Sequence, residues 1–199
     1  MKVGMIFECG PDGADLQVCR ELAKRLLPQV RVSAVTMDNK QNLVLDCGRA
    51  AVQLLNEGCA RVLILWDLYP PWRKKGAKPC RREDWEAIFK FLRGARVDLK
   101  RVRLVCIREE LEAWLITDGR ALSAVLSTSV RPVRVADHKK SERMRNPKRA
   151  LERIFHQYGR PKYVDRKDAI RIIRALPDLN RLQRLPTFAR FCDKLCGRQ

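Results

Sequence analysis

Three apolar runs in this chain stop at acidic residues. Glu8 follows Lys2–Phe7, Asp67 follows Val62–Trp66, and Glu109, Glu110 and Glu112 follow Val102–Ile107. Acids that close different strands of a parallel sheet meet at one edge although they are far apart in sequence, and in open α/β sheets that edge binds ligands. Carboxylates gathered without basic partners repel one another, and a bound Mg²⁺ or Mn²⁺ is the usual way to offset the repulsion. The chemistry that suits such a set is metal-dependent phosphoryl transfer, in which the ion activates water and stabilises charge on phosphate oxygens. Each acid also has a plainer reading. Asp67 can end its strand by accepting hydrogen bonds from its own loop, Glu8 can be a strand-end residue and Asp12 a turn former. Asp15 reads as a helix N-cap and Asp118 as a helix-end polar residue, while Glu109 and Glu110 fall in the first turn of a predicted helix, where they favour the dipole. Glu112 lies away from the Leu111, Trp114, Leu115 stripe and is expected off the core.

To bring these acids together the chain must supply parallel strands and the helices between them. Lys2–Phe7 reads as a first strand, and the turn-forming stretch from Cys9 to Asp15 leads into a helix over Leu16–Leu27. Val30–Met37 alternates and is β-branched, giving a second strand. Leu43–Asn56 is an amphipathic helix stopped by Gly58. Val62–Trp66, apolar throughout, fits a central strand buried on both faces. Arg82–Leu92 is predicted helical, Val102–Ile107 a strand and Glu109–Thr117 a helix. This βαβα rhythm predicts an α/β fold with a mostly parallel, doubly wound, Rossmann-like sheet. Beyond Gly119 the pattern changes: Arg131–Val135 reads as an edge strand and Asp137–Pro147 as an exposed, mobile basic loop. Pro147 suits the first position of a helix to Tyr158, and further helices are expected over Lys167–Ala175 and Thr187–Cys196.

Composition narrows the partners. The 199 residues carry 42 Lys and Arg against 23 Asp and Glu, a net +19. From Arg131 onward 20 basic residues face 7 acidic ones, +13, which leaves +6 for the first 130. A basic half attached to a more balanced half that holds the acids points to a polyanion, nucleic acid above all. Candidate phosphate contacts are Arg73, Lys74, Lys75 and Lys78 in the loop after Asp67, which also reads as a plain solvated loop, and Lys139, Lys140 and Lys148 in the basic half. Trp72 and Tyr69 are candidates for stacking on a base. No apolar run reaches the roughly 20 residues of a membrane span and no signal peptide is evident, so a cytosolic protein is expected. The eight cysteines form no CxxC pair and are expected to be reduced; Cys192 and Cys196, four apart, lack the companion pair of a zinc site. A Walker A pattern and a Ser-His-Asp set are absent, and the two histidines, His138 and His156, both lie in the basic half.

Glu8 with an acid four residues on (Asp12), Asp67 closing the central strand, and the ELEAW of Glu110–Trp114 together resemble the TOPRIM domains of topoisomerases, primases and overcoming-lysogenization-defect nucleases. More narrowly, ILWDLYPPW, EELEAWLITD, NPKRAL and LPTFARF resemble a family of small bacterial TOPRIM-like proteins, often found with a partner ATPase in anti-phage systems. The resemblance implies that residues 1–130 form a TOPRIM-like core and 131–199 a basic, mainly helical region packed on the same domain. It implies Glu8 as metal ligand or general acid/base, Asp12 as its companion acid, Asp67 as principal metal ligand and Glu112 as the acid on the following helix, with Mg²⁺ or Mn²⁺ as cofactor. Two positions depart from the pattern: Tyr69 stands where a second Asp is usual, and Cys9 where a glycine usually follows the first glutamate. The first departure leaves room for one metal rather than two, or for a silent site. The expected function is a metal-dependent nuclease acting on DNA or RNA with an ATPase partner. The alternative is a catalytically inactive nucleic-acid-binding or adaptor subunit of an ATPase complex. A second copy of the chain is a further candidate partner, and no membrane partner is expected.

Overall fold

The computed structural model of the chain describes residues 1–71 and 78–198. Four strands, β1 (Lys2–Phe7), β2 (Arg31–Thr36), β3 (Arg61–Asp67) and β4 (Val102–Ile107), form one all-parallel sheet in the order β2-β1-β3-β4. The fold is α/β, doubly wound and Rossmann-like, as the alternating pattern predicts. The strand bounds expected from sequence hold to within a residue.

Alternation along β3 shows why its apolar run has no polar face. Leu63 and Leu65 enter one core, while Val62, Ile64 and Trp66 enter the other. Helices α2 (Lys40–Asn56) and α3 (Arg81–Gly94) cover the second core. The first is covered by α1 (Ala14–Leu26) and by residues from α4 (Glu112–Leu115), α5 (Gly119–Leu126), α6 (Pro147–Gln157), α7 (Asp165–Arg174) and α8 (Pro186–Cys196). Both faces are thus shielded, as parallel sheets require. The basic half joins the same core: Phe155, Ile172, Phe188 and Leu195 are buried with Phe7 and Leu65. Arg25 of α1 donates to the carbonyls of Ile173 and Leu176 at 2.9 and 2.7 Å, tying α1 to the end of α7. Helix α6 begins at Pro147, as expected, and α2 is followed by Gly58 at φ +84°, a left-handed stop. All eight cysteines are free. Among the described residues no helix is long and apolar enough to cross a membrane.

Several local expectations need correction. Helix α2 starts at Lys40 rather than Leu43, because Asn39 accepts from the Asn42 N–H at 2.8 Å and caps it. The N-cap of α1 is Gly13 without a side-chain bond, so Asp15 caps nothing. The expected helix from Glu109 shrinks to Glu112–Leu115. Glu109 sits at φ +64°, its carbonyl accepts from Tyr69 N–H at 3.0 Å, and the Leu111 N–H is taken by Asp67. Those main-chain groups serve the β3 loop instead of a helix. No strand forms over Arg131–Val135. The segment that follows it is anchored by Asp137, whose carboxylate accepts from the Gly119 N–H and from Arg181 at 2.9 and 2.7 Å.

The expected exposed loop Asp137–Pro147 is exposed only in part: Lys139, Lys140, Arg143, Arg145 and Asn146 face solvent, but Ser141 and Glu142 are buried, in a 3₁₀ turn over Ser141–Arg143. Glu142 accepts from both the main-chain N–H and the hydroxyl of Thr187, in the first turn of α8, and that hydroxyl in turn accepts from the buried Trp114 indole at 2.9 Å. A carboxylate at a helix N-terminus satisfies amides that the helix leaves open. Asp118, wholly buried, does not end a helix but caps α5 and pairs with Arg120 and Arg181.

Candidate functional site

The strand order reverses direction at β1 and β3, and at such a switch point the carboxyl ends of neighbouring strands open a crevice. Phe7 pairs with Leu65 in this sheet, so Glu8 and Asp67 come just beyond adjacent paired positions. A cavity of about 480 Å³ opens there. The loop after β1 contributes Glu8 and Asp12, the first turn of α1 Asp15, the turn between β2 and α2 Asp38, and the end of β3 Asp67. Glu110 and Glu112 come from the segment after β4, and Asp165 from the start of α7. Lys148 of α6 and Arg166 of α7 also line it.

Turn chemistry shapes the floor. The Gly13 N–H donates to the Gly10 carbonyl at 2.9 Å, and a Cβ at Gly13 would lie 2.4 Å from Cys9 Sγ. Only glycine lets the loop fold that tightly and return Asp15 to the pocket. The buried Lys40, which does not itself line the pocket, donates through Nζ to the carbonyls of Leu68 and Pro70 at 3.1 and 2.8 Å and lies 4.0 Å from Asp84. Lys40 therefore fixes the loop that carries Tyr69.

Burial first, and like charge after it, raises the pKa values of Glu8, Asp15, Asp67 and Glu112. Burial pushes Glu8 up to about 7; Lys40 and the Asp67 amide oppose the shift, and Asp15 adds to it. Asp67 is held well above the carboxylate range by burial and then by Asp15, Glu8 and Glu112. Asp15 is raised by burial as well. Glu112, only 5 % exposed, is pushed by burial up to about 7 and accepts from Tyr163 Oη at 3.3 Å. Burial also raises Asp165, but the Lys148 Nζ donor at 2.9 Å and the Arg166 amide outweigh it and hold this carboxyl below the usual range.

One oxygen on each of two acids is left over. Glu8 Oε2 and Asp67 Oδ1 are buried and have no hydrogen-bond partner among the described residues. Asp67 Oδ2 accepts from Leu111 N–H at 3.3 Å, which aims the second oxygen away from that amide. Buried polar atoms are nearly always satisfied, so an orphaned pair at a sheet switch point has the character of a ligand site. Among the described residues no group of three or more His, Cys, Asp or Glu is arranged to hold a metal ion. Mg²⁺ needs less: it binds through one or two carboxylates and fills the rest of its octahedron with water and substrate phosphate. Hard oxygen donors on Glu8 and Asp67 fit that requirement.

Of the residues singled out from sequence, Glu8, Asp12, Asp67 and Glu112 all line this one cavity. Glu112 does so as a buried residue, against the expectation that it lies off the core, because the short α4 turns it inward. Lys148 lines the same pocket and pairs with Asp165. Lys78, Lys139 and Lys140 are exposed outside the cavity, and Arg73, Lys74, Lys75 and Trp72 lie outside the described residues. Sequence reasoning missed Asp15, Asp38, Asp165, Lys40 and Tyr163. Only Asp15 had a usable signal, since glycine at position 13 already offers an N-cap and frees the aspartate for another role.

No curated protein and no solved structure matches the chain. A family model does match, over residues 16–196, so that Glu8 and Asp12 precede the matched part. By that match the chain belongs to the family described as a domain of unknown function, DUF4276.

Proposed function

We propose that the protein is a divalent-metal-dependent phosphodiester hydrolase of TOPRIM type that cleaves DNA or RNA, acting with an ATPase partner in anti-phage defence. The observation that carries the hydrolase reading is the pair of orphaned buried oxygens on Glu8 and Asp67 at the switch point. These two residues would hold Mg²⁺ or Mn²⁺, with Asp12 at the mouth as a companion acid. When bound, the ion supplies a nucleophile from water and stabilises charge on the phosphate. Glu112, held near neutrality by burial, is poised to take up or release a proton at its carboxylate while Tyr163 orients it. Lys148 and Arg166 bring positive charge to a pocket whose other charged lining residues are acids, where a phosphate must approach. The ATPase partner and the defence role rest on the sequence resemblance alone.

The test is cleavage of plasmid DNA and tRNA in Mg²⁺ or Mn²⁺ against EDTA, with wild type and Asp67→Asn. Cleavage should require the ion and fall at least about 100-fold in the variant, the scale of losing a main electrostatic contributor. Cleavage in EDTA, or undiminished cleavage by Asp67→Asn, overturns the reading.

A second reading, a silent nucleic-acid-binding or adaptor subunit, is favoured by one observation. Tyr69, 38 % exposed at the pocket, stands where a second acid is usual, and no three donors converge among the described residues. In that case Asp67→Asn should leave any ATPase-dependent activity unchanged.

A further inference from the structure

The outer edge of the sheet carries a second cavity, of about 470 Å³, that the carboxylate pocket does not use. Leu104 and Cys106 of β4 form its floor, Arg81 and Trp85 of α3 one wall, and Arg190 and Lys194 of α8 the other. It shares lining residues with a hollow at each end. Arg81, Cys106 and Arg190 also line a smaller hollow that reaches Leu68 and Arg108. Trp85, Leu104 and Lys194 line another that reaches Phe89 and Val102. The groove therefore follows β4 from its first residue to just past its last. Its upper end, at Leu68, is flanked in sequence by Asp67 and Tyr69 of the carboxylate pocket.

Charge and surface define the occupant. Arg81, Arg190 and Lys194 make no ion pair among the described residues. The carboxylate on this groove, Glu142, is already engaged by Thr187. Arg190 and Lys194 stand one helical turn apart, about 6 Å along the axis, a spacing that suits successive phosphates of an extended strand. Trp85 is 44 % exposed and its ring lies 4.0 Å from that of Phe89, which holds the indole in place and leaves a π face open. Unpaired bases stack on such faces, whereas duplex bases do not offer theirs. An extended acidic peptide would instead add to the free edge of β4. There Arg103 already donates to the Val102 carbonyl at 3.0 Å and to Lys100 at 2.7 Å, and charged side chains on an edge oppose strand addition.

We propose that this groove is a track for single-stranded nucleic acid, with bases on Trp85 and the apolar floor, phosphates on Arg81, Arg190 and Lys194, and the strand leading toward the carboxylate pocket. The proposal deepens the hydrolase reading and rests on it for the strand's destination, but the binding it describes needs no metal.

The test measures binding of a fluorescent oligothymidylate to the full chain in EDTA, across a salt series. Trp85→Ala should weaken binding about tenfold or more and abolish tryptophan quenching by the unlabelled oligonucleotide. The double variant Arg190→Ala/Lys194→Ala should flatten the slope of log affinity against log salt by about 1.4, two phosphate contacts on a single strand. A duplex of equal length should bind more weakly and be indifferent to Trp85→Ala. Unchanged affinity and slope in both variants overturn the proposal, as does an oligoglutamate that competes as well as the oligonucleotide, which would mark the groove as a site for an acidic protein. Binding in EDTA, set beside cleavage in Mg²⁺ or Mn²⁺, separates the two readings. Loss of the track variants' effects with metal-dependent cleavage intact removes the track alone, and intact track binding without any cleavage removes the hydrolase alone.

Discussion

Asp67 and Glu8 end neighbouring parallel strands, and each keeps one buried carboxylate oxygen without a hydrogen-bond partner among the described residues. Burial raises the proton affinity of both, Asp15 raises both further, and Glu8 adds to the rise at Asp67. Stability, pH and metal are therefore coupled at this point of the fold.

The pH dependence has a definite sign. Glu8 and Glu112 are held at about 7 in the folded chain, above the 4.5 of a free glutamate, and Asp67 and Asp15 are raised too. Between those values the folded state binds more protons than the unfolded one, so the contribution of these groups is complete below pH 4.5 and is lost as pH rises through 7. In EDTA the Tm should fall by several degrees between pH 6 and pH 8, as scanning calorimetry would show. A Tm that rises over this interval contradicts the assignment.

Metal should reverse that loss. A cation that binds the ionised carboxylates competes with protons, so millimolar Mg²⁺ or Mn²⁺ should raise the Tm more at pH 8 than at pH 6. Equal shifts at both pH values, or no shift, would mean that these acids do not take up the ion.

Removing one like charge should relieve the apo pocket. Asp67→Asn at pH 8 in EDTA is expected to raise the Tm by about 2–4 °C, the change that 1 kcal/mol brings in a domain of this size. The same variant should lose the stabilisation by Mg²⁺. Thermal scans with and without the ion check both halves.

Lys40→Met tests the support behind the site. The substitution keeps much of the stem but leaves the Leu68 and Pro70 carbonyls without their donor and Asp84 without this cation. Breaking a buried pair from one side costs about 3–5 kcal/mol. Urea unfolding should show a loss of that order, and a change under 1 kcal/mol would show that Lys40 is not structural.

Glu142→Ala asks whether the segment between Asp137 and Pro147 is part of the core. Without this carboxylate the Thr187 amide and hydroxyl lose their acceptor inside the protein. A loss of about 1–3 kcal/mol is expected for each donor left unsatisfied. Faster amide exchange in the first turn of α8 should accompany it.

The strands were legible because burial on both faces leaves an uninterrupted apolar run with its end marked by an acid, as in β1 and β3. Pro147 and Gly58 were legible for the same local reason, since backbone geometry is written in the residue itself. Glu109 was misread because its main chain answers to Tyr69, forty residues earlier, and not to its own helical neighbours. Asp118 read as a helix-end polar residue, and Glu142 fell within an expected exposed loop, because their partners Arg181 and Thr187 are distant in sequence.

Sequence by itself determined the parallel sheet, the placing of Glu8 and Asp67 at its ends and the excess of positive charge, all of which follow from local periodicity and composition. Tertiary structure alone decided that Asp15, Asp165 and Lys148 share the pocket with them, that Lys40 lies buried behind its wall, and that α3 and α8 flank a cationic groove along β4. Those outcomes depend on how helices from opposite halves of the chain pack on one sheet, and packing joins residues whose separation in sequence carries no signal.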